Sequence, residues 1–328
     1  MKSAKGVLIY HSPLESGASA DELDVLKEAS FVARGLRALG YNVVKKAFPI
    51  NLEQLGEELQ EINPLFVYNL VETIRNDGRL ISVAPLLFEH FRVPYTGCNS
   101  DAIYLTSNKL VAKRVMISAG IPTPLYCIPG DHAIPELLSG SGFLIKSIWE
   151  HASFGMDEHL MKIWDGRQLR GYFKSLKKGE RDCFAEQYID GREFNVSIIS
   201  GQDGPVVLPL AEIEFRNYPA TRLKIVGYRA KWDEQSFEYK NTCRVFREIE
   251  TDRAILSKIR EISMQCWETF GLSGYARVDF RIDHDNKPWV LEVNTNPCIS
   301  PDSGFMAAAR QADMDIKEVI ERIIYDID

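Results

Sequence analysis

The chain has 328 residues, 45% of them hydrophobic, which supports a large buried core and, at this length, two or three lobes. Its formal net charge of −7 lacks the basic surplus of a general nucleic-acid binder, and no Lys- or Arg-rich run appears. No apolar stretch approaches the ~18 residues of a membrane span, and the first one, at 7–10, is too short for a signal-peptide core.

The six cysteines lie far apart without CxxC or Cys/His metal spacing, which fits core packing in a reducing compartment. The expectation is a cytoplasmic protein with no nucleic-acid and no membrane partner. Residues 6–10 read as a strand, followed by a Ser/Gly/Pro-rich loop over 11–20. Asp21 and Glu22 open an amphipathic helix to about Leu39, with Leu23, Leu26, Phe31 and Leu36 as its buried stripe and Gly40 as C-cap. Strands at 43–44 and 65–68 make this an open parallel α/β sheet, whose ligand sites lie beyond the C-terminal strand ends. The loops 11–20 and 69–78 stand there. No GxGxxG occurs, which removes a dinucleotide fingerprint.

A helix over about 80–91 and a short strand and turn at Pro94-Tyr95-Thr96-Gly97 follow. Lys109 stands near a helix start, where a solvated lysine is the plainer reading. After Ile121-Pro122-Thr123-Pro124 a second lobe begins, with an apolar strand at 142–146 that ends on Lys146 and another strand over 183–189. Residues 201–245 read as irregular. Over 252–270, Ile255, Ile259, Ile262, Cys266 and Phe270 form one stripe of an amphipathic helix that ends before Gly271, so Cys266 belongs to the core.

Residues 274–296 read with a period of two, as a β-hairpin turning at 283–288. Ala276, Val278, Phe280 and Ile282 take one face, joined by Trp289, Leu291 and Val293. The other face carries Arg277, Asp279, Glu292 and Asn294 side by side. Two carboxylates and an amide oxygen suit Mg²⁺, which completes its octahedron with phosphate oxygens and water, and an adjacent Arg can meet developing charge. A solvated polar face is the other reading of the same alternation. Asp283 and Asp285 faintly suggest a calcium loop, but Pro288 stands where that motif needs Gly.

The run RVDFRID…VLEVNTNP, with PYTG at 94–97 and the lysine of Thr106-Ser107-Asn108-Lys109, resembles the signature of ATP-grasp ligases and particularly of the D-alanine–D-alanine ligase family. The similarity is strongest from Gly274 to Ser303 and weaker in the first hundred residues. It implies an α/β ATP-grasp fold with an N-terminal open parallel domain (1–108), a central lobe (109–190) and a C-terminal lobe carrying the metal and substrate site (191–328).

The resemblance also implies roles for single residues. Lys109 and Lys146 would hold the nucleotide phosphates, and the loop 147–156, with Ser153, would close over them. Glu186, Gln187, Tyr188 and Ile189 would frame adenine, partly through backbone hydrogen bonds. Glu193 would bind the ribose and Lys231 the γ-phosphate, while Asp279, Glu292 and Asn294 would hold the metal. Arg277 and the backbone N–H of Cys298 would stabilise a tetrahedral intermediate, and Ser303 would bind a substrate carboxylate. Asp21 best matches a family glutamate that holds an ammonium, with helix capping as an equal alternative.

The implied activity is ATP-dependent C–N bond formation through an acyl phosphate. ATP and Mg²⁺ (or Mn²⁺) would be the cofactors, small molecules the substrates, and a homodimer the typical assembly. Ala152, Cys298 and the reduced 69–78 stretch depart from the family pattern, so an amino acid, a hydroxy acid or a peptide terminus stays open beside D-alanine. A small-molecule kinase on the same fold and a silent nucleotide-binding regulator are the alternatives. The retained Lys109, Lys146, Asp279, Glu292 and Asn294 speak against the silent one.

Overall fold

In the computed structural model, which describes residues 6–14, 17, 20–130, 142–149, 164–177 and 182–327, the first strand β1 (Gly6–His11) is the centre of a parallel sheet. Val7, Leu8, Ile9 and Tyr10 are all fully buried. Both faces are covered, so the run is apolar without alternation. Helix α1 (Ala20–Ala38) leads to β2 (Asn42–Ala47), and α2 (Leu52–Ile62), capped by Asn51, leads to β3 (Phe66–Leu70), in the order β2-β1-β3.

The buried stripe of α1 differs from the expected one. Leu23 and Leu26 are exposed, and Val25, Ala29, Val32, Ala33 and Leu36 face the sheet. Only that second set repeats at 3.6-residue spacing, and its small side chains allow close helix–sheet contact. Glu28 lies on the same buried face.

Helices α3 (Val83–Phe91), α4 (Ser100–Ser107) and α5 (Lys109–Ser118) follow. Asn108 separates the last two, since its side chain accepts hydrogen bonds from the amides of Leu110 and Val111 and starts α5 with Lys109 in its first turn. A small antiparallel sheet comes next, with β4 (Tyr126–Cys127), β5 (Phe143–Ser147), α6 (Gly166–Ser175) and β6 (Cys183–Gln187) in the strand order β4-β6-β5.

The largest sheet has six antiparallel strands. They are β7 (Arg192–Ile199), β8 (Val206–Val207), β9 (Ala211–Phe215), β10 (Thr242–Phe246), β11 (Tyr275–Ile282) and β12 (Pro288–Asn294), in the order β10-β9-β7-β11-β12 with β8 beside β7. The stretch 201–245, expected to be irregular, thus supplies three strands and two short helices, α7 (Tyr228–Trp232) and α8 (Phe237–Asn241). Ala211 to Phe215 alternates buried and half-buried residues, but five residues are too few to stand out in the sequence. Helix α9 (Arg253–Phe270) covers the sheet with Leu256, Ile259, Ile262 and Cys266, and Gly271, at φ 60°, ends it. Helices α10 (Gly304–Gln311) and α11 (Ile316–Tyr325) close the chain, and α11 packs on α1. Among the described residues, no helix is long and apolar enough to cross a membrane.

The hairpin β11–β12 forms where the alternation places it, with one shift. Asp279 pairs with Glu292, but Phe280 pairs with Val290, so Leu291 is an extra residue in a β-bulge. Val290 and Val293, with Pro288 at the strand's start, are therefore the buried residues of β12, while Trp289 and Leu291, expected in the core, are only half-buried. In the turn, one Asp283 carboxylate oxygen accepts from the amides of Asp285 and Lys287, and the other accepts from Trp289 Nε1 at 2.8 Å.

Burial opposes the charge on Asp283, but the Trp289 hydrogen bond and the two amides outweigh it and hold the carboxyl below its ordinary value. Asp283→Ala is expected to cost about 1–3 kcal/mol in urea unfolding at pH 7. Because the folded value is the depressed one, this contribution is present above the unfolded value of 3.8 and fades as pH falls through the folded value. A difference between wild type and variant that persisted unchanged into strong acid would contradict this role.

Candidate active site

Arg277 and Asp279, two apart on β11, project from the same face. The guanidinium grips the carboxylate with both ends, Nε to Oδ1 at 2.7 Å and Nη2 to Oδ2 at 2.9 Å. Asn195, the register partner of Asp279 on β7, donates to Oδ1 at 2.9 Å. On the other side Glu292 stands opposite Asp279, and Asn294 opposite Arg277. Like charges opposite each other on paired strands repel. Here Arg277 Nη2 and Lys109 Nζ each lie 3.9 Å from an oxygen of Glu292. Burial works against the charge on Arg277, and Asp279 and Glu292 outweigh it, so the guanidinium stays firmly protonated.

Among the described residues, no group of three or more His, Cys, Asp or Glu side chains gathers for a metal. The donor set on this face is instead two carboxylates and the Asn294 amide, hard oxygens that leave positions for phosphate oxygens and water. Asn294 Oδ1 also accepts from the Asn296 amide at 3.0 Å, which tucks the following loop against the strand.

Lys146 leaves the end of β5 and pairs with Glu186 on β6. Burial lowers its ammonium, but Glu186 and then Glu292 and Glu193 hold it above the ordinary lysine range. Glu186 is itself buried, and its other oxygen is 2.6 Å from Lys113 Nζ. Lys113 also donates to Thr123 Oγ1 at 2.8 Å and to the Pro124 carbonyl at 3.2 Å. The sequence reading missed Lys113. Its one signal is the spacing of four from Lys109, which puts both on one face of α5.

Glu186 thus acts through its carboxylate, as the centre of a Lys–Glu–Lys cluster. The amides of Gln187 and Tyr188, expected to offer hydrogen bonds to a base, are taken by the carbonyls of Leu125 and Gly142, both at 2.8 Å. Those two N–H groups fasten β6 to its neighbours. Ile189 beside them is buried.

Glu193 is buried against Arg281, 3.1 Å away, and Arg281 also donates to the carbonyls of Gly191 and Lys224. Burial and Asp279 raise the Glu193 carboxyl, and Arg281 only partly counters them. Gly191 is required at its turn, because its φ is +142° and a Cβ there would fall 2.0 Å from the Ile282 carbonyl oxygen. Lys231, on α7, remains accessible to solvent. Desolvation in the cleft, then Arg277, lower its ammonium below the usual lysine value.

Beyond β12 the chain crosses to α1. Cys298 Sγ is 3.3 Å from Asp24 Oδ2 and 3.1 Å from Ser300 Oγ. Burial, Glu28 and Glu72 push its thiol well up, so it stays protonated and is no nucleophile. Ser303 Oγ accepts from the Met306 amide at 3.2 Å and caps α10, which leaves its hydroxyl proton for a ligand.

Arg244 on β10 was also missed. Its guanidinium lies about Gly304, where an added Cβ would be 3.3 Å away, and among the described residues no acid forms an ion pair with it. Burial and Arg277 lower its pKa. The side chain of Asp21 and all of Ser153 lie outside the described residues.

Residues 141–325, more than half of the chain, match the family described as D-ala D-ala ligase C-terminus. The chain belongs to the D-alanine–D-alanine ligase family. An uncharacterized protein, y4sG, of Sinorhizobium fredii is 32% identical to this family member over 79% of the chain and 73% of its own length. A D-alanine–D-alanine ligase of a Marinomonas species is 28% identical over 94% of the chain and 92% of its own.

Among solved structures, the Bacillus anthracis D-alanine–D-alanine ligase complexed with ATP superposes with a TM-score of 0.73 at 22% identity, covering 99% of this chain and 97% of that one. The VanG D-Ala:D-Ser ligase of Enterococcus faecalis gives 0.71 at 16%, covering 98% and 99%. These likenesses establish the expected ATP-grasp fold over nearly the whole family member.

Proposed function

We propose that the chain is an ATP-dependent carboxylate–amine ligase. The observation that carries this reading is the joint arrangement of Arg277, Asp279, Glu292 and Asn294 on one hairpin face with Lys109 beside them, in a chain of this family. A substrate carboxylate oxygen attacks the γ-phosphorus of ATP, and ADP leaves. A neutral amine then attacks the acyl carbon, phosphate leaves, and the nitrogen loses its extra proton to give an amide.

The residues divide this work. Lys109, Lys146 and Lys231 hold the triphosphate in line, and a lysine held in an ion pair with Glu186 is already charged when phosphate replaces that partner. Asp279, Glu292 and Asn294 fit Mg²⁺, which would neutralise phosphate charge. Arg277, clamped by Asp279, is a fixed positive charge for the tetrahedral oxyanion, with the Cys298 amide as a second donor. Glu193, buried and held by Arg281, would accept from ribose hydroxyls. In this reading 1–108 is the N-terminal α/β domain, 109–190 the lid lobe and 191–328 the lobe with the metal and substrate site.

The test is ADP release from Mg-ATP with D- and L-amino acids, singly and in pairs, and products identified by mass. Turnover giving an amide-linked product is the expected result. A stable phosphorylated product with no amide would point to phosphoryl transfer alone and overturn the ligase reading.

A further inference from the structure

Arg244 stands on the side of the large sheet that carries the candidate site. It pairs with Ile213 of β9, Ile213 with Glu193 of β7, and Glu193 with Arg281 of β11, and directly paired residues point to one side. From there its side chain reaches the loop after β12. A Cβ added at Gly304 would lie 3.3 Å from Nη2 of Arg244 and 3.6 Å from Cζ and from Nε. The bare backbone of Gly304 thus lets the guanidinium lie against the residue next to Ser303. Arg310 reaches the same short loop, donating from Nη1 to the Pro301 carbonyl at 2.8 Å.

Among the described residues, no acid forms an ion pair with either arginine. The acids that share the face of Arg244 have nearer cations. Glu193 has Arg281 at 3.1 Å, and Asp279 has Arg277 at 2.7 Å. Glu212 and Glu214 alternate with Ile213 and take the opposite side, where Arg192 and Arg216 bond them at 2.8 and 2.9 Å. The charge of Asp302 reaches Arg244, but both its carboxylate oxygens are 2.7 Å from Lys27 Nζ. Arg244 keeps an opening to solvent, yet the protein around its guanidinium desolvates it, and Arg277 and Arg310 add like charge. A guanidinium on an open surface is answered by water and salt, whereas one desolvated beside two others is relieved by an anion. Its planar fork matches a carboxylate with two parallel hydrogen bonds.

We propose that Arg244 reads a second carboxylate on the amine substrate, which is then an acidic amino acid. Ser303 takes its α-carboxylate, and Arg244, helped by the charge of Arg310, takes the carboxylate of its side chain. The inference rests on the ligase reading and on the expected place of Ser303 within it. A neutral side chain would leave a single carboxylate to answer both free guanidinium groups. A phosphate of ATP is the competing anion. The lysines assigned to the phosphates stand on α5, β5 and α7, whereas Arg244 comes from the edge strand β10 and ends at the loop of Ser303.

The probes are aspartate and glutamate, in both hands, against asparagine, glutamine and alanine, each alone and paired with D-alanine. ADP release from Mg-ATP, product mass and melting temperature are the readouts. Expected are a KM at least tenfold lower for an acid than for its amide, loss of that preference in Arg244→Gln through a higher KM for the acid, and an unchanged KM for ATP. Arg244 is open to solvent, so its variant should melt with wild type. Amides or alanine used as well as the acids would overturn the proposal and leave the ligase reading intact. So would a variant that keeps the preference and raises KM for ATP, since Arg244 would then serve a phosphate. With no turnover on any probe, the ligase reading fails and melting decides. Stabilisation of wild type but not of Arg244→Gln by aspartate or glutamate supports the site, and no stabilisation by either overturns it.

Discussion

Glu292→Ala is expected to reduce ATP turnover about a thousandfold while leaving the fold in place. Glu292 stands opposite Asp279, and the two carboxylates together answer at least three cations, Arg277, Lys109 and Lys231. With Glu292 gone, Asp279 remains clamped by Arg277 and Asn195, and no second carboxylate is left to share a divalent ion. A metal contributes several kcal/mol of transition-state charge stabilisation, and about 4 kcal/mol corresponds to about three powers of ten.

The folded state should lose little, because Glu292 is half-buried and its ion pairs with Lys109 and Arg277, among the described residues, are long ones. The check is kcat for ADP release at saturating ATP, beside a melting curve. Glu292→Gln separates the two roles. It keeps shape and hydrogen bonding, so a structural role would be rescued and a metal-holding role would not. A kcat within a few-fold of wild type in either variant would remove Glu292 from the metal set.

The hairpin that carries Glu292 was legible because seven residues of strict alternation (276–282), a run of turn formers and a second alternating strand agree with one another. The bulge was not. One extra residue leaves the pattern of charged positions intact and moves only the apolar partners, so Val290 replaces Trp289 and Leu291 inside. In α1 the large leucines drew attention away from the smaller residues that actually touch the sheet.

The polar groups that escaped notice share a cause. Lys113, Arg244 and Glu28 are set by partners on other elements, Glu186 for the first, Gly304 and Arg277 for the second, and Ile299 for the third. Sequence spacing marks residues of one strand or helix that share a face. It does not mark a charged group whose environment is assembled from distant segments.

Lys113 makes that difference measurable. Lys113→Met is expected to destabilise the protein by about 3–5 kcal/mol, the usual cost of removing one partner from a buried ionic group. Lys113 and Glu186 are almost fully buried, whereas Lys146 is partly accessible. Burial alone would raise the Glu186 carboxyl, but Lys113 and Lys146 outweigh it and hold it below its ordinary value. The stability it contributes is therefore present above the unfolded value of 4.5 and is lost as pH falls through the lower folded value.

Without Lys113 the folded value rises, so acid unfolding of the variant should begin at a higher pH than in wild type. Nucleotide binding should suffer too. Lys146 becomes the sole counter-charge of Glu186, and drawing it away to a phosphate strands a buried carboxylate, so KM for ATP should rise about tenfold, or about 1.4 kcal/mol. The double variant Lys113→Met/Glu186→Leu removes both buried charges and should recover most of the lost stability but not the nucleotide affinity. Urea unfolding of the single and double variants decides the matter. A loss below about 1 kcal/mol in Lys113→Met, or no recovery in the pair, would mean that Lys113 is held by Thr123 and Pro124 rather than by the charge of Glu186.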